Sequence, residues 1–226
     1  MAKSVRRSTP RPYHHGNLAS ALVDAALLLL DETQDWNFSL REVARRASVS
    51  HNAPYKHFPE KRDLLAAVAA RGFEALAEST LSSLEGLTDA RERLLACGRT
   101  FVARGIANPA LYRLMFSAVL TSPEAGRPAI EKVAAAKARA IMDKAFADAT
   151  QSGVFPPSLA SPGEGAAATL AMWSILHGLT MLAIDDFVGP PKDIEALVDP
   201  ILGALLNGIS SQPPALPAHI WIAPRL

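Results

Sequence analysis

Apolar residues repeat at intervals of three and four along almost the whole chain. Between Asn17 and Glu32 they fall at Leu18, Leu22, Ala25, Ala26, Leu29 and Leu30, which sets them on one face of a helix. Ser39 precedes Leu40, Val43 and Ala44, with Glu42 three residues on. That spacing predicts a capping box and a second helix ending near Ala47. Ser50 is read as the cap of a short third helix closing near Phe58 and Pro59. Glu60 opens a fourth, with Leu64, Leu65, Val68, Phe73 and Leu76 along it. Further helices are expected over 89–107, 109–120, 123–152, 163–186 and 192–209, parted by breaks such as Asn108–Pro109, Ser161–Pro162 and Gly189–Pro191. No strand-like alternation is convincing. The expected class is all-α: a basic arm over 1–15, a three-helix unit over 16–60, a larger helical bundle over 61–210 and a Pro-rich tail over 211–226.

The stretch SLREVARRASVSHNAPYKHFPEKRDLL, Ser39 to Leu65, does not read as core. Two short helical patterns flank a tight break, and the second carries His51, Asn52, Tyr55, Lys56 and His57. Helix, tight break, short helix is the plan of a helix-turn-helix. The first helix of such a unit crosses the DNA backbone, and the second enters the major groove with its N-terminal residues near base edges. Val43, Ala44, Val49, Tyr55 and Phe58 are expected to pack against the first helix, leaving His51, Asn52 and Lys56 outward.

These residues resemble the DNA-binding domain of the TetR family of transcriptional regulators. The likeness rests on SLREVARRASVS and YKHFPEKRDLL, with Tyr55, His57, Phe58 and Lys61 at the family's typical places. The opening Tyr13–Leu18 and the segment WSILHG, Trp173 to Gly178, are similar to the branch whose C-terminal domain is named for a Trp–His–Gly motif. The resemblance implies a homodimer that binds a near-palindromic double-stranded DNA operator. Its C-terminal helices would dimerise and hold a small-molecule effector that releases a repressor from DNA. An activator, or a regulator that answers to no ligand, would carry the same features. An all-helical enzyme or small-molecule carrier is the reading of a different class. The chain has no phosphate loop, GxSxG, HExxH or CxxC motif, so neither catalysis nor a cofactor is expected. Two positions depart from the family pattern: Ser48 stands where glycine is usual in the turn, and Pro54 lies inside the expected recognition helix.

Composition adds bounds. With 226 residues, 49% hydrophobic and 20% charged, the chain can bury a real core. A single cysteine, Cys97, excludes an internal disulfide and points to a reducing compartment. No apolar signal segment follows the basic N-terminus, so a cytoplasmic protein is expected. Residues 165–184 lack Asp, Glu, Lys and Arg, but Thr169, Ser174, His177 and Thr180 favour a buried helix over a membrane span. Up to Arg62 there are ten Lys/Arg against six Asp/Glu, and beyond it thirteen against sixteen. A basic front on an acidic body suits a polyanion partner for the front alone.

Candidate roles follow. Ser39 and Ser50 are helix caps that can also receive phosphate. Lys61, Tyr55 and Lys56 are expected on the DNA backbone, His51 and Asn52 on base edges, with His57 alongside. Of Arg45 and Arg46 one is expected on DNA, with Arg45 the candidate, and the other paired with a carboxylate such as Glu42, four residues before Arg46. Arg6, Arg7 and Arg11 supply the arm. His14 and His15 are adjacent rather than spaced for chelation, so no metal site is expected. Phe101, Tyr112, Met115, Phe116, Met172, Trp173 and His177 are the candidates for a ligand pocket, though core packing is the commoner fate of such residues. For His177 a structural hydrogen bond outweighs ligand contact.

Overall fold

A computed structural model describes residues 18–121, 126–155, 162–189 and 191–207. Among them the elements are helical throughout, and no β-sheet forms. In α1 (Leu18–Thr33) the buried residues are Leu22, Val23, Ala25, Ala26 and Leu30, one helical face as the spacing requires. Then follows α2 (Leu40–Arg46), which buries Leu40, Val43 and Ala44. After a 3₁₀ turn over Pro54–Lys56 comes α3 (Lys61–Ser83). Next are α4 (Ala90–Ala107), α5 (Pro109–Met115), a second 3₁₀ turn at Ala118–Leu120, and α6 (Ala129–Gln151). The last two helices are α7 (Pro162–Ile184) and α8 (Pro191–Asn207). The single helix expected over 109–120 is thus divided near Phe116 and Ser117.

Two apolar cores divide the molecule. The first gathers α1, α2 and the Leu64–Phe73 part of α3, and reaches Leu114 and Met115. The second joins α4, the end of α6, α7 and α8 through Leu94, Val102, Phe146, Met172, Leu176 and Leu202. The expected boundary after residue 60 falls at the N-cap of α3, while Leu64 to Phe73 beyond it complete the first core. Helix α3 therefore runs from one unit into the other as a single rod.

Glycine permits the closest approaches in the second core. A Cβ on Gly98 would lie 2.5 Å from Leu202 Cδ1, and one on Gly105 would lie 2.3 Å from Thr180 Cγ2. So α4 can press directly on α8 and α7. Arg99 then ties α4 to α8 with a two-pronged bond to Asp199, both contacts at 2.7 Å, the geometry in which guanidinium and carboxylate match best.

The charge-free stretch lies in α7, whose inner face buries Thr169, Met172, Leu176, Leu179 and Thr180. Its outer side keeps Leu170, Trp173 and Leu182 exposed. Among the described residues no helix is long and apolar enough to cross a membrane.

Candidate DNA interface and effector cavity

The expected capping box starts α2. Ser39 Oγ accepts the Glu42 N–H at 3.2 Å, and the Glu42 carboxylate accepts the Ser39 N–H at 2.6 Å. The bond from the Ser39 backbone holds the Glu42 carboxyl below the usual carboxylate range. The end of α2 is equally definite. Ser48 N–H bonds to Arg45 O at 3.1 Å and Val49 N–H to Ala44 O at 2.9 Å, the pair that defines a Schellman stop. This stop needs a left-handed residue, and Ser48 supplies it at φ 56°.

The recognition element differs from the expected helix over 50–58. Residues 51–53 form turns, and only Pro54–Lys56 are helical, as a 3₁₀ turn. The cause is Pro54, which has no N–H to give to Ser50. The Ser50 carbonyl accepts from Ala53 N–H instead, at 2.9 Å, and His57 N–H bonds to Pro54 O at 2.9 Å. The shorter register turns Tyr55 outward. At 48% exposed it is not the packing residue expected, whereas Pro54 and Phe58 are buried.

The polar side chains of this element are presented to solvent: Ser50, His51, Asn52, Lys56 and His57 are all exposed, as are Ser39 and Arg45. Lys61 opens α3 half-buried, its ammonium 5.6 Å from the centre of the Phe38 ring. Arg46 departs from expectation. Glu42 is engaged by the cap, so the Arg46 guanidinium reaches back to Glu32 of α1. Arg6, Arg7 and Arg11 lie outside the described residues.

A cavity of about 480 Å³ opens in the other half, between α3, α4, α5, α6 and α7. Its apolar wall includes Phe73 and Leu76 of α3, Phe101 of α4, Met115 and Phe116 at the end of α5, and Trp173 of α7. Of the seven pocket candidates, Phe101, Met115, Phe116 and Trp173 line it. Met172 is fully buried in the second core, and Tyr112 and His177 stand behind the wall. The Tyr112 hydroxyl and His177 Nδ1 are 2.6 Å apart. Burial pushes the Tyr112 phenol up and the His177 imidazole down, so both are neutral at neutral pH and share one hydrogen bond. Phe116 is the hub. It meets Phe73 edge-on at 5.6 Å, lies 6.0 Å from Trp173 and 4.8 Å from His177.

The opposite wall is charged and holds none of the seven candidates. Arg127, Glu131, Lys132, Arg139 and Asp143 all face the cavity from α6 and the residues just before it. Arg127 grips Glu131 at 2.8 and 3.0 Å, and also donates to Ser117 O and Met115 O. Cys97 also borders the space, its thiol pushed up to about 11 by burial, so it stays protonated. Among the described residues no group of His, Cys, Asp and Glu could hold a metal ion.

Two family models match the chain. Residues 22–68 fit "Bacterial regulatory proteins, tetR family", and residues 94–205 fit "Tetracyclin repressor-like, C-terminal domain". The chain belongs to the TetR family. It is a transcriptional regulator, not an enzyme. Among solved structures, a protein of unknown function from Rhodococcus sp. RHA1 is 28% identical over 87% of this chain and all of that one, with a TM-score of 0.70. The fatty acid degradation regulator FadR from Bacillus halodurans shares 18% identity over 84% of this chain and 98% of its own, with a TM-score of 0.65. The TetR family regulator PfmR from Thermus thermophilus shares 19% identity over 84% of this chain and 99% of its own, with a TM-score of 0.59. At such identities the last two show the fold alone. No curated protein matches the chain.

For a TetR-family chain the missed cavity residues had one local signal. Glu131, Ala135, Ala138 and Met142 share one stripe of α6, and Lys132, Ala136, Arg139 and Asp143 share the next. Nothing local reveals that these stripes border a cavity, because the facing wall comes from four other helices.

Proposed function

We propose that this TetR-family chain is a cytoplasmic homodimer that binds a near-palindromic operator and is released from it by a small molecule held in the α3–α7 cavity. Backbone contacts come from Ser39, Arg45, Ser50, Tyr55, Lys56, His57 and Lys61. Base-edge contacts come from His51 and Asn52, since Asn can pair with both edge groups of adenine and His can donate or accept. The basic arm adds Arg6, Arg7 and Arg11 by charge. The Trp–His–Gly branch is supported by Trp173, His177 and Gly178, whose ring pair stacks at 5.5 Å.

The observation that carries this reading is the path of α3. The helix starts at Lys61 beside the exposed polar face and carries Phe73, Leu76 and Thr80 into the cavity wall. A ligand that prefers one placement of these residues biases the position of Lys61 and the element packed on it. Population shift requires such a differential preference. Each chain offers one recognition element, so two major grooves need two chains.

The test is selection of bound duplexes from a random pool with the full-length protein, followed by footprinting over a range of protein concentrations. A near-palindrome protected cooperatively by a dimer is expected. Tight protection of a lone half-site by a monomer would defeat the proposal.

A further inference from the structure

We propose that the effector is a small amphiphile with one negative charge, its apolar body against the aromatic wall and its anionic group at Lys132. This rests on reading the cavity as the effector site.

Charge is confined to one side. Among the described residues the wall built by α3, α4, α5 and α7 carries no ionised side chain, while α6 and its approach carry five. The α6 stripe Glu131, Ala135, Ala138 and Met142 is buried or half-buried, and the stripe Lys132, Ala136, Arg139 and Asp143 is exposed. The second stripe therefore forms the mouth. A ligand entering there meets charge first and aromatic surface beyond it.

The five charges are not equally available. Arg127 and Glu131 satisfy each other, and Glu131 is only 2% exposed. Arg139 and Asp143 pair along α6 at 3.5 Å. Lys132 has no acidic partner among the described residues, and its ammonium lies near Gly126, 3.7 Å from where a Cβ would stand. One cation with no acidic partner among the described residues, at the lip of an apolar space, selects one anionic group. A cavity of about 480 Å³ is of the size that takes a compact drug-sized molecule.

A lipophilic cation is the competing occupant, because aromatic faces attract positive charge. Here the rings face one another. Phe73 and Phe116 meet at 86°, Phe101 and Tyr112 at 84°, and Trp173 is stacked on His177. Both carboxylates that could receive a cation are already paired. A neutral ligand would gain a hydrogen bond from Lys132 but no charge pairing.

The test compares decanoate, 1-decanol and decyltrimethylammonium by titration calorimetry on the full-length protein. They share one apolar chain and differ in charge. Decanoate is expected to bind about three- to tenfold tighter than decanol, as for a partly exposed ion pair, and to lose that margin as salt rises. Lys132→Gln should erase the margin, and Lys132→Glu should shift preference to the ammonium. Equal binding of decanoate and decanol, tightest binding of the ammonium, no binding of any probe, or a decanoate margin that survives Lys132→Gln would each overturn the proposal. A second measurement separates it from the effector reading: release of the selected duplex by each probe. Release that ignores charge keeps the effector reading and removes the anion preference. Decanoate binding through Lys132 without release keeps the anion preference and removes the effector reading.

Discussion

Between Ser39 and Lys61 the chain holds its polar side chains outside, where a partner can reach them. Between Arg127 and Asp143 it turns polar side chains onto a cavity of its own. The first region is set by local rules: a reciprocal cap, a Schellman stop and a proline that shortens a helix. The second depends on contacts between distant segments, such as Phe116 just after α5 against Trp173 and His177 of α7. Damage to the first should spoil recognition and spare the fold. Damage to the second should reach the fold itself.

The strongest way to break this contrast is Arg127→Met. The substitution leaves Glu131 buried with no counter-charge and strips a donor from the carbonyls of Ser117 and Met115. Removing one member of a buried pair costs about 3–5 kcal/mol. Chemical denaturation should show that loss. A change below about 1 kcal/mol would mean that the pair behaves as a surface pair and that this wall is not structural.

Next in size are two substitutions on the DNA-facing side that should leave denaturation curves alone. Asn52→Ala should relax preference at one base position by about 1–3 kcal/mol. Lys61→Ala should weaken binding to every sequence alike and lower the salt slope by about one unit. Binding titrations on the selected site and its point variants, run at several salt concentrations, measure both. If Asn52→Ala weakened every site equally, the division between base and backbone contacts would be wrong.

The unequal legibility of the two regions has a physical cause. The cap at Ser39, the helix at Leu40 and the strain at Ser48 are encoded within ten residues of each other, so spacing alone announces them. The recognition element is shorter than its spacing predicts, because Pro54 cuts the expected helix to a 3₁₀ turn. Arg46 pairs away from its predicted partner for a related reason: Glu42 cannot both close its cap and pair along the helix, and Glu32 is distant in sequence. In the second region the aromatic candidates stand out by type, but type does not say which faces a cavity. Met172 and Trp173 are neighbours, and one is core while the other is wall. The α6 charges look like an ordinary solvated face until α3 and α7 are placed opposite.

A smaller effect sharpens the second region by pH. Burial lowers the pKa of His177 from its ordinary 6.5, so the folded state favours the neutral ring that is bonded to Tyr112. Its contribution is complete above the ordinary pKa and is lost as pH falls below it. The group is partly exposed, so screening holds the loss under about 1 kcal/mol, or at most about 4 °C in Tm. Thermal melts of the native chain and of His177→Gln should converge as pH drops from about 7.5 to about 5.5, because the variant lacks the ring whose neutral form the fold favours. Parallel curves would show that the Tyr112–His177 bond does not depend on a neutral imidazole.

The smallest expected effect lies in the DNA-facing unit and has the opposite sign. Ser48 sits at φ 56°, where a Cβ crowds the following carbonyl at a cost of about 1–2 kcal/mol. Glycine would remove that cost but lose about 0.5–1 kcal/mol through the greater freedom of the unfolded chain. Ser48 is exposed, so no packing changes hands. Ser48→Gly should therefore stabilise by roughly 0.5 kcal/mol, a rise of about 1–2 °C in Tm, and leave operator affinity and its salt slope unchanged. A fall in Tm would show that Ser48 makes up its strain by contacts at the turn. A rise in Tm with weaker DNA binding would mean that the hydroxyl itself meets the operator. In that case the DNA-facing surface extends into the turn between the two recognition segments.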